Sequence, residues 1–284
     1  MAEQIVFAPG TEGTELVPGV STVQGSITDA LVLKNGNLFF LSQSDASVPL
    51  ARGHGFGLYY QDCRFLNGYE LTISGRKPEA LIHTAEAGFM ATLGLSNPDL
   101  NFNGQVVAKH AIEMRWERVV SADELTLSDT LLVRNLTTEP VQFSLEFHFE
   151  AAFEDIFAIR GLFQGKRGTC HKPEWRDDTL YFRYAGADKI DRVLAIQFAP
   201  SPNEKLAKSA VYRIPALGLE GAPIGIDIRK VVQTGRTPVI DSAIAHKEPG
   251  VGMIGSGIVR APLACFEQAL KAYERRYGAS ERDR

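Results

Sequence analysis

Two short strips hold the residue types that could do chemistry. The first, Gly57–Leu71, reads GLYYQDCRFLNGYEL and gathers Tyr59, Tyr60, Asp62 and Arg64. An aromatic ring that stacks on a sugar face, beside a carboxylate and a guanidinium that bond hydroxyls, is ordinary carbohydrate recognition. The second, Phe153–Gly161, reads FEDIFAIRG and carries Glu154, Asp155 and Arg160. Hydrolysis of a glycosidic bond needs two carboxyl groups flanking it, one as acid and one as base or nucleophile. Spacing along the chain does not fix separation in space, so ion pairs that pin a strand entrance and a sheet corner describe both strips equally well. In an extended chain Tyr59 and Tyr60 point to opposite sides, so one faces a ligand at most while the other packs. Asp62 and Arg64 share a side, which predicts that they pair with each other.

Other candidate motifs carry less. Gly250-Val-Gly252-Met-Ile-Gly255 fits G-x-G-x-x-G. A dinucleotide site needs that loop to open a helix inside a βαβ unit, and here a short strand-like stretch follows, so a glycine-rich turn is expected and no cofactor. The histidines are His54, His83, His110, His148, His171 and His246, and no two have metal-ligand spacing, so no metal site is expected. Asn135-Leu136-Thr137 matches a glycosylation acceptor and reads as chance. Cys63, Cys170 and Cys265 are odd in number and far apart, which suits a reducing cytoplasm rather than a disulfide framework. The net charge of -4, with Lys and Arg scattered, argues against nucleic acid. No apolar run approaches membrane-spanning length, and the N-terminus does not read as a secretory signal.

The elements that must position these residues are strands. Asn35-Gly36, between ALVLK and LFFL, is a hairpin signal. In VQFSLEFHFE, Val141, Phe143, Leu145, Phe147 and Phe149 fall on one face and polar residues on the other. That is the period of a half-buried antiparallel strand. The same period runs through 112–117, 125–133, 180–184 and 224–229. With Gly, Pro and Asn turns between them, these predict a large antiparallel β-sandwich and no parallel α/β sheet. Residues 1–29 read as a loosely ordered arm with one short strand, and 30–260 as the sandwich. After Pro262, Leu263, Phe266, Leu270, Tyr273 and Tyr277 recur at helical spacing, so 261–284 reads as one C-terminal α-helix and a polar tail.

The order of the strips carries a resemblance. Asn35–Leu41, Gly57–Leu66, Leu71–Gly75, Asn97–Leu100 and Phe153–Gly161 follow one another as in the N-terminal domain of bacterial glycogen debranching enzymes of the amylo-α-1,6-glucosidase type, and the chain resembles that domain over roughly 30–230. Asp62, Arg64, Asp155, Arg160 and Gly161 match its motifs. Cys63 stands where the family has Thr, and Ala158 where it often has Glu, so each change removes a polar group. The resemblance implies a supersandwich of the galactose-mutarotase-like kind. It also implies an (α/α)6 catalytic partner resembling glucoamylase, normally on the same chain, which carries the catalytic carboxylates. The helix at 263–277 would be the connector to it. On that footing this chain holds no catalytic residue, supports the barrel and contacts α-glucan. A stand-alone mutarotase- or epimerase-like enzyme and an interaction module without sugar affinity are the alternatives.

Overall fold

The computed structural model describes residues 14–15, 30–84, 88–102, 104–160, 167–219 and 223–235. Its elements are almost all strands. They begin with β1 (Thr14–Glu15), β2 (Leu31–Asn35), β3 (Leu38–Ser42), β4 (Gly57–Tyr60), β5 (Cys63–Leu66), β6 (Gly68–Ile73), β7 (Glu79–Thr84) and β8 (Met90–Ser96). There follow β9 (Leu100–Phe102), β10 (Gln105–Val107), β11 (Ile112–Ser121), β12 (Thr126–Asn135), β13 (Val141–Glu150) and β14 (Glu154–Asp155). A single helical turn, α1 (Ile156–Ile159), precedes β15 (Thr169–Cys170), β16 (Glu174–Arg176), β17 (Thr179–Ala185) and β18 (Asp191–Ala199). The last are β19 (Glu204–Lys205), β20 (Ser209–Leu217) and β21 (Ile224–Gly235).

Three antiparallel sheets make the body. The largest has ten strands and runs β1-β15-β17-β18-β21-β12-β11-β8-β7, with β16 beside β17. A four-stranded sheet, β19-β20-β13-β6, and a five-stranded sheet, β14-β5-β4-β3-β2, complete the sandwich, and β9 and β10 form a small ribbon. One apolar cluster joins all three through Trp116, Leu131 and Ile226 from the large sheet, Phe147 and Tyr69 from the second, and Phe40 and Phe65 from the third. Antiparallel pairing follows from the alternation, because one face of each strand has apolar residues to bury and the other meets water. β13 shows it: Val141 through Phe149 are buried at every second position.

The strand pattern read from the sequence is therefore present. The Asn35-Gly36 turn joins β2 to β3, with Gly36 at φ +57°. β1 lies in the stretch read as an arm and pairs with β15. The glycine-rich 250–255 motif, the C-terminal helix, Cys265 and His246 lie outside the described residues. Among the described residues no helix is long and apolar enough to cross a membrane.

At the centre sits a charged cluster that the sequence reading passed over. Asp129 on β12 accepts hydrogen bonds from Arg118 Nε on β11 at 2.8 Å, Lys230 Nζ on β21 at 2.6 Å and the Tyr69 hydroxyl on β6 at 2.6 Å. Arg118 and Lys230 are wholly buried. The Arg118 guanidinium also donates to Ala46 O at 2.9 Å and lies over the rings of Phe40 and Trp116. The signal was in the parity: Arg118, Asp129 and Lys230 each continue the inward register of an alternating strand. Burial by itself would raise the Asp129 pKa, but the two cations outweigh it and hold the carboxyl below its usual range.

Candidate functional site

The two strips meet. β14 pairs antiparallel with β5, so that Glu154 lies opposite Arg64 and Asp155 opposite Cys63. Across the five-stranded sheet the register sets Phe39, Tyr59, Arg64 and Glu154 in one row. The Phe39 and Tyr59 rings stack, with centroids 4.7 Å apart and planes 4° from parallel. Arg64 Nη2 forms a short salt bridge to Glu154 Oε2. Tyr60 falls on the other side, half-buried and packed against the core. The two tyrosines do point apart.

The pairing expected between Asp62 and Arg64 is not formed. Tyr60 and Cys63 are paired, which leaves Gln61 and Asp62 as a two-residue hairpin turn. Gln61 takes the positive φ, +53°, that such a turn requires. Asp62 is therefore exposed at a hairpin tip and does not share a strand face with Arg64. Two-residue spacing implies one face only while the chain stays extended. The cluster expected of Glu154, Asp155 and Arg160 divides in the same way. Glu154 turns to Arg64. Asp155 caps α1 by accepting from Phe157 N at 2.7 Å, and Ile156 N donates to Asp62 O at 2.9 Å. Arg160, the helix's C-cap residue, is exposed.

What the row can do chemically is limited by what already occupies it. Arg64 and Tyr59 are each only 4% exposed. Arg64 Nη1 donates to the carbonyls of His54 and Phe56, and the Tyr59 hydroxyl donates to Gly55 O at 2.8 Å. His54 in turn bonds Pro49 O through Nε2 and accepts from Phe56 N through Nδ1. Burial lowers the His54 pKa and raises that of Tyr59, so both are neutral near pH 7. The row thus latches the 49–57 loop onto the sheet edge. Its exposed part is the hairpin tip with Asp62, the α1 turn with Phe157, which is 55% exposed, and Arg160.

The remaining motifs settle into structural places. Asn135 is buried, its amide donates to Glu139 O and Leu217 O, and its carbonyl accepts from Thr137. Cys63 and Cys170 are free thiols. Burial pushes them up to about 12 and about 11, so neither is a thiolate nucleophile at neutral pH. The five described histidines belong to separate loops and strands. Among the described residues no group of three or more His, Cys, Asp or Glu could hold a metal ion.

Known proteins point in two directions. A family model described as the N-terminal domain of (some) glycogen debranching enzymes matches residues 33–216. A putative kojibiose phosphorylase from the human microbiome is similar in structure, with TM-score 0.52 and 10% identity over 80% of this chain and 32% of that one. That likeness speaks for the fold. A shorter stretch leads elsewhere. Oxamate carbamoyltransferase subunit AllG of Escherichia coli (strain K12) is 48% identical over 90 residues, 32% of this chain and 21% of the relative. The uncharacterized protein YahG of the same strain is 49% identical over 85 residues, 30% of this chain and 18% of the relative. The chain thus spans about a fifth of the length of the curated relatives it matches.

Proposed function

This chain belongs to the family of N-terminal domains found in some glycogen debranching enzymes, and from that premise we propose that it is a non-catalytic β-sandwich that supports a debranching-type α-glucosidase and contacts α-glucan. The observation that carries the reading is the row itself, in which the Arg64 Nη1 and Nη2 groups, Glu154 and the Tyr59 hydroxyl are engaged within the protein. Arg64 and Glu154 engage each other, Arg64 also holds a loop and Asp155 caps a helix, which leaves Asp62 and Arg160 as the exposed charged groups of the strips. A glycosidase needs an acid and a base free to meet substrate. In this reading the hydrolytic carboxylates belong to an (α/α)6 partner domain of the glucoamylase type, normally on the same chain. Asp62 and Arg160, exposed at the hairpin tip and the helix C-cap, are the residues assigned to any glucan or partner contact, while Tyr60 packs on the core, Asp155 caps α1, and Tyr59, Arg64 and Glu154 hold the edge. Free Cys63 and Cys170 support a cytoplasmic setting.

The experiment is an assay of the purified chain on limit dextrin and isomaltose, paired with calorimetric titration by maltooligosaccharides. The expected result is weak binding and no turnover. Hydrolysis at enzyme-like rates sinks the reading. Absence of binding at millimolar ligand leaves a pure interaction module.

A second reading rests on the stretch near half identical to the carbamoyltransferase subunit. In it, part of this chain shares its origin and a partner surface with that subunit. At about a fifth of the relative's length, the stretch falls well short of the whole. Carbamoylation of oxamate by the purified chain would favour this reading over the first.

A further inference from the structure

One histidine holds the 49–57 loop with two ring nitrogens that have opposite duties. His54 Nδ1 lies 3.1 Å from Phe56 N, and Nε2 lies 2.8 Å from Pro49 O. A backbone N–H only donates and a carbonyl only accepts, so Nδ1 must be bare and Nε2 must carry the hydrogen. One tautomer of the neutral ring meets both demands. The imidazolium does not, because its second hydrogen would point at the Phe56 N–H.

The surroundings oppose a proton there. Burial holds the ring's pKa below the ordinary 6.5, and the Arg64 guanidinium on β5 adds to this, while the Pro49 bond and the Glu154 carboxylate on β14 pull the other way. Arg64 and Glu154 are already paired with each other, so a charged His54 would share one carboxylate with a second cation. Arg52, on the loop itself, is exposed. The loop's other holds are Arg64 Nη1 on the carbonyls of His54 and Phe56, and the Tyr59 hydroxyl on Gly55 O. All three acceptors lie within 54–56, so loss of the contact between His54 and Phe56 loosens the segment that Arg64 and Tyr59 grip.

We propose that the 49–57 loop is an acid-released strap: protonation of His54 frees it from the sheet edge and bares the Arg64 guanidinium and the Tyr59 hydroxyl. The strap rests on the loop's geometry and holds whether or not the chain contacts glucan. The open loop takes its proton near the ordinary 6.5 and the closed loop takes it less readily, so closure is fully favoured above about 6.5 and is lost progressively below it. Hydrogen exchange of the ¹⁵N-labelled full chain, corrected for the intrinsic rate at each pH, reads the strap through the Phe56 amide. Its protection should be level between about pH 8 and 7 and fall by up to about tenfold per pH unit below 6.5, until the closed ring is itself charged. Val48 and Tyr69, whose amides pair with each other's carbonyls beside the loop, should keep their protection. His54→Asn supplies an acceptor for the N–H two residues on and cannot be charged, so its Phe56 protection should not change with pH. The ring ¹⁵N shifts of the unaltered chain at about pH 8 should report hydrogen on Nε2, which keeps the test open if His54→Asn fails to fold. Hydrogen on Nδ1, constant Phe56 protection down to about pH 5, or the same fall in His54→Asn would each overturn the strap. So would an equal loss at Val48 and Tyr69, which would mean general unfolding.

Discussion

Asp62 and Arg64 stand two apart in sequence, yet one is at a hairpin tip and the other is 4% exposed beside Glu154. Their removal should therefore have unequal effects. Arg64→Ala strips a buried cation from Glu154 and from two loop carbonyls, and is expected to lower stability by roughly 3 kcal/mol. Asp62→Ala should shift it by less than about 0.5 kcal/mol, as for an ordinary surface change. Urea unfolding of the two variants checks this, and equal losses would contradict the geometry. Lys230 makes a second prediction at this scale. Burial drives its amine down from 10.5 to about 8, against the pull of Asp129. The unfolded chain therefore holds that proton more firmly than the folded one. Stability should rise with pH from about 8 to 10 and be lower, without further change from this group, below 8. Above 10 the raised phenol of Tyr69 acts the other way, because the folded state keeps its proton. Lys230→Met should flatten the slope between pH 8 and 10 in thermal melts.

At the scale of elements, the hairpin of β4 and β5 depends on Gly57. Its φ is +147°, and a Cβ there would lie 2.1 Å from the Leu66 carbonyl oxygen. Gly57→Ala is expected to cost at least about 2 kcal/mol, because both the backbone conformation and the space are denied to it. Denaturant midpoints would show it. The buried carboxylate acts between elements. Asp129 ties β11, β12 and β21 to β6, and its loss leaves two buried cations facing each other. Asp129→Asn should cost roughly 3–5 kcal/mol, far more than Lys230→Met, after which Arg118 and Tyr69 still satisfy Asp129. A larger loss from Lys230→Met would reverse the assignment of Asp129 as the hub. Alternation made the strands legible in 112–117, 141–150 and 224–229. The Gln61-Asp62 turn was not legible, because neither residue is the Gly or Asn that advertises a positive φ.

For the whole molecule, the informative strand is β21. The family match ends at 216, yet β21, at 224–235, lies between β12 and β18 inside the ten-stranded sheet. It carries Ile226, Ile228 and Lys230 into the core. A chain ended after Leu217 should lose the cooperative unfolding transition, since two long ladders would be left open at the middle of the sheet. A sharp melt in that truncation would show that the matched region folds without β21. The same scale holds the assay on limit dextrin, where the intact sandwich is expected to bind without turnover.

The sequence by itself determined the class of architecture, since period-two alternation leaves a chain little choice but antiparallel sheets with one buried face. It also determined the family, through short strips kept in order. Only the tertiary structure decided which charges meet. Arg64 finds Glu154 ninety residues away, and Arg118, Asp129 and Lys230 converge from three strands. Pairings of this kind are set by strand register across a sheet, and the order of residues along the chain does not contain that register.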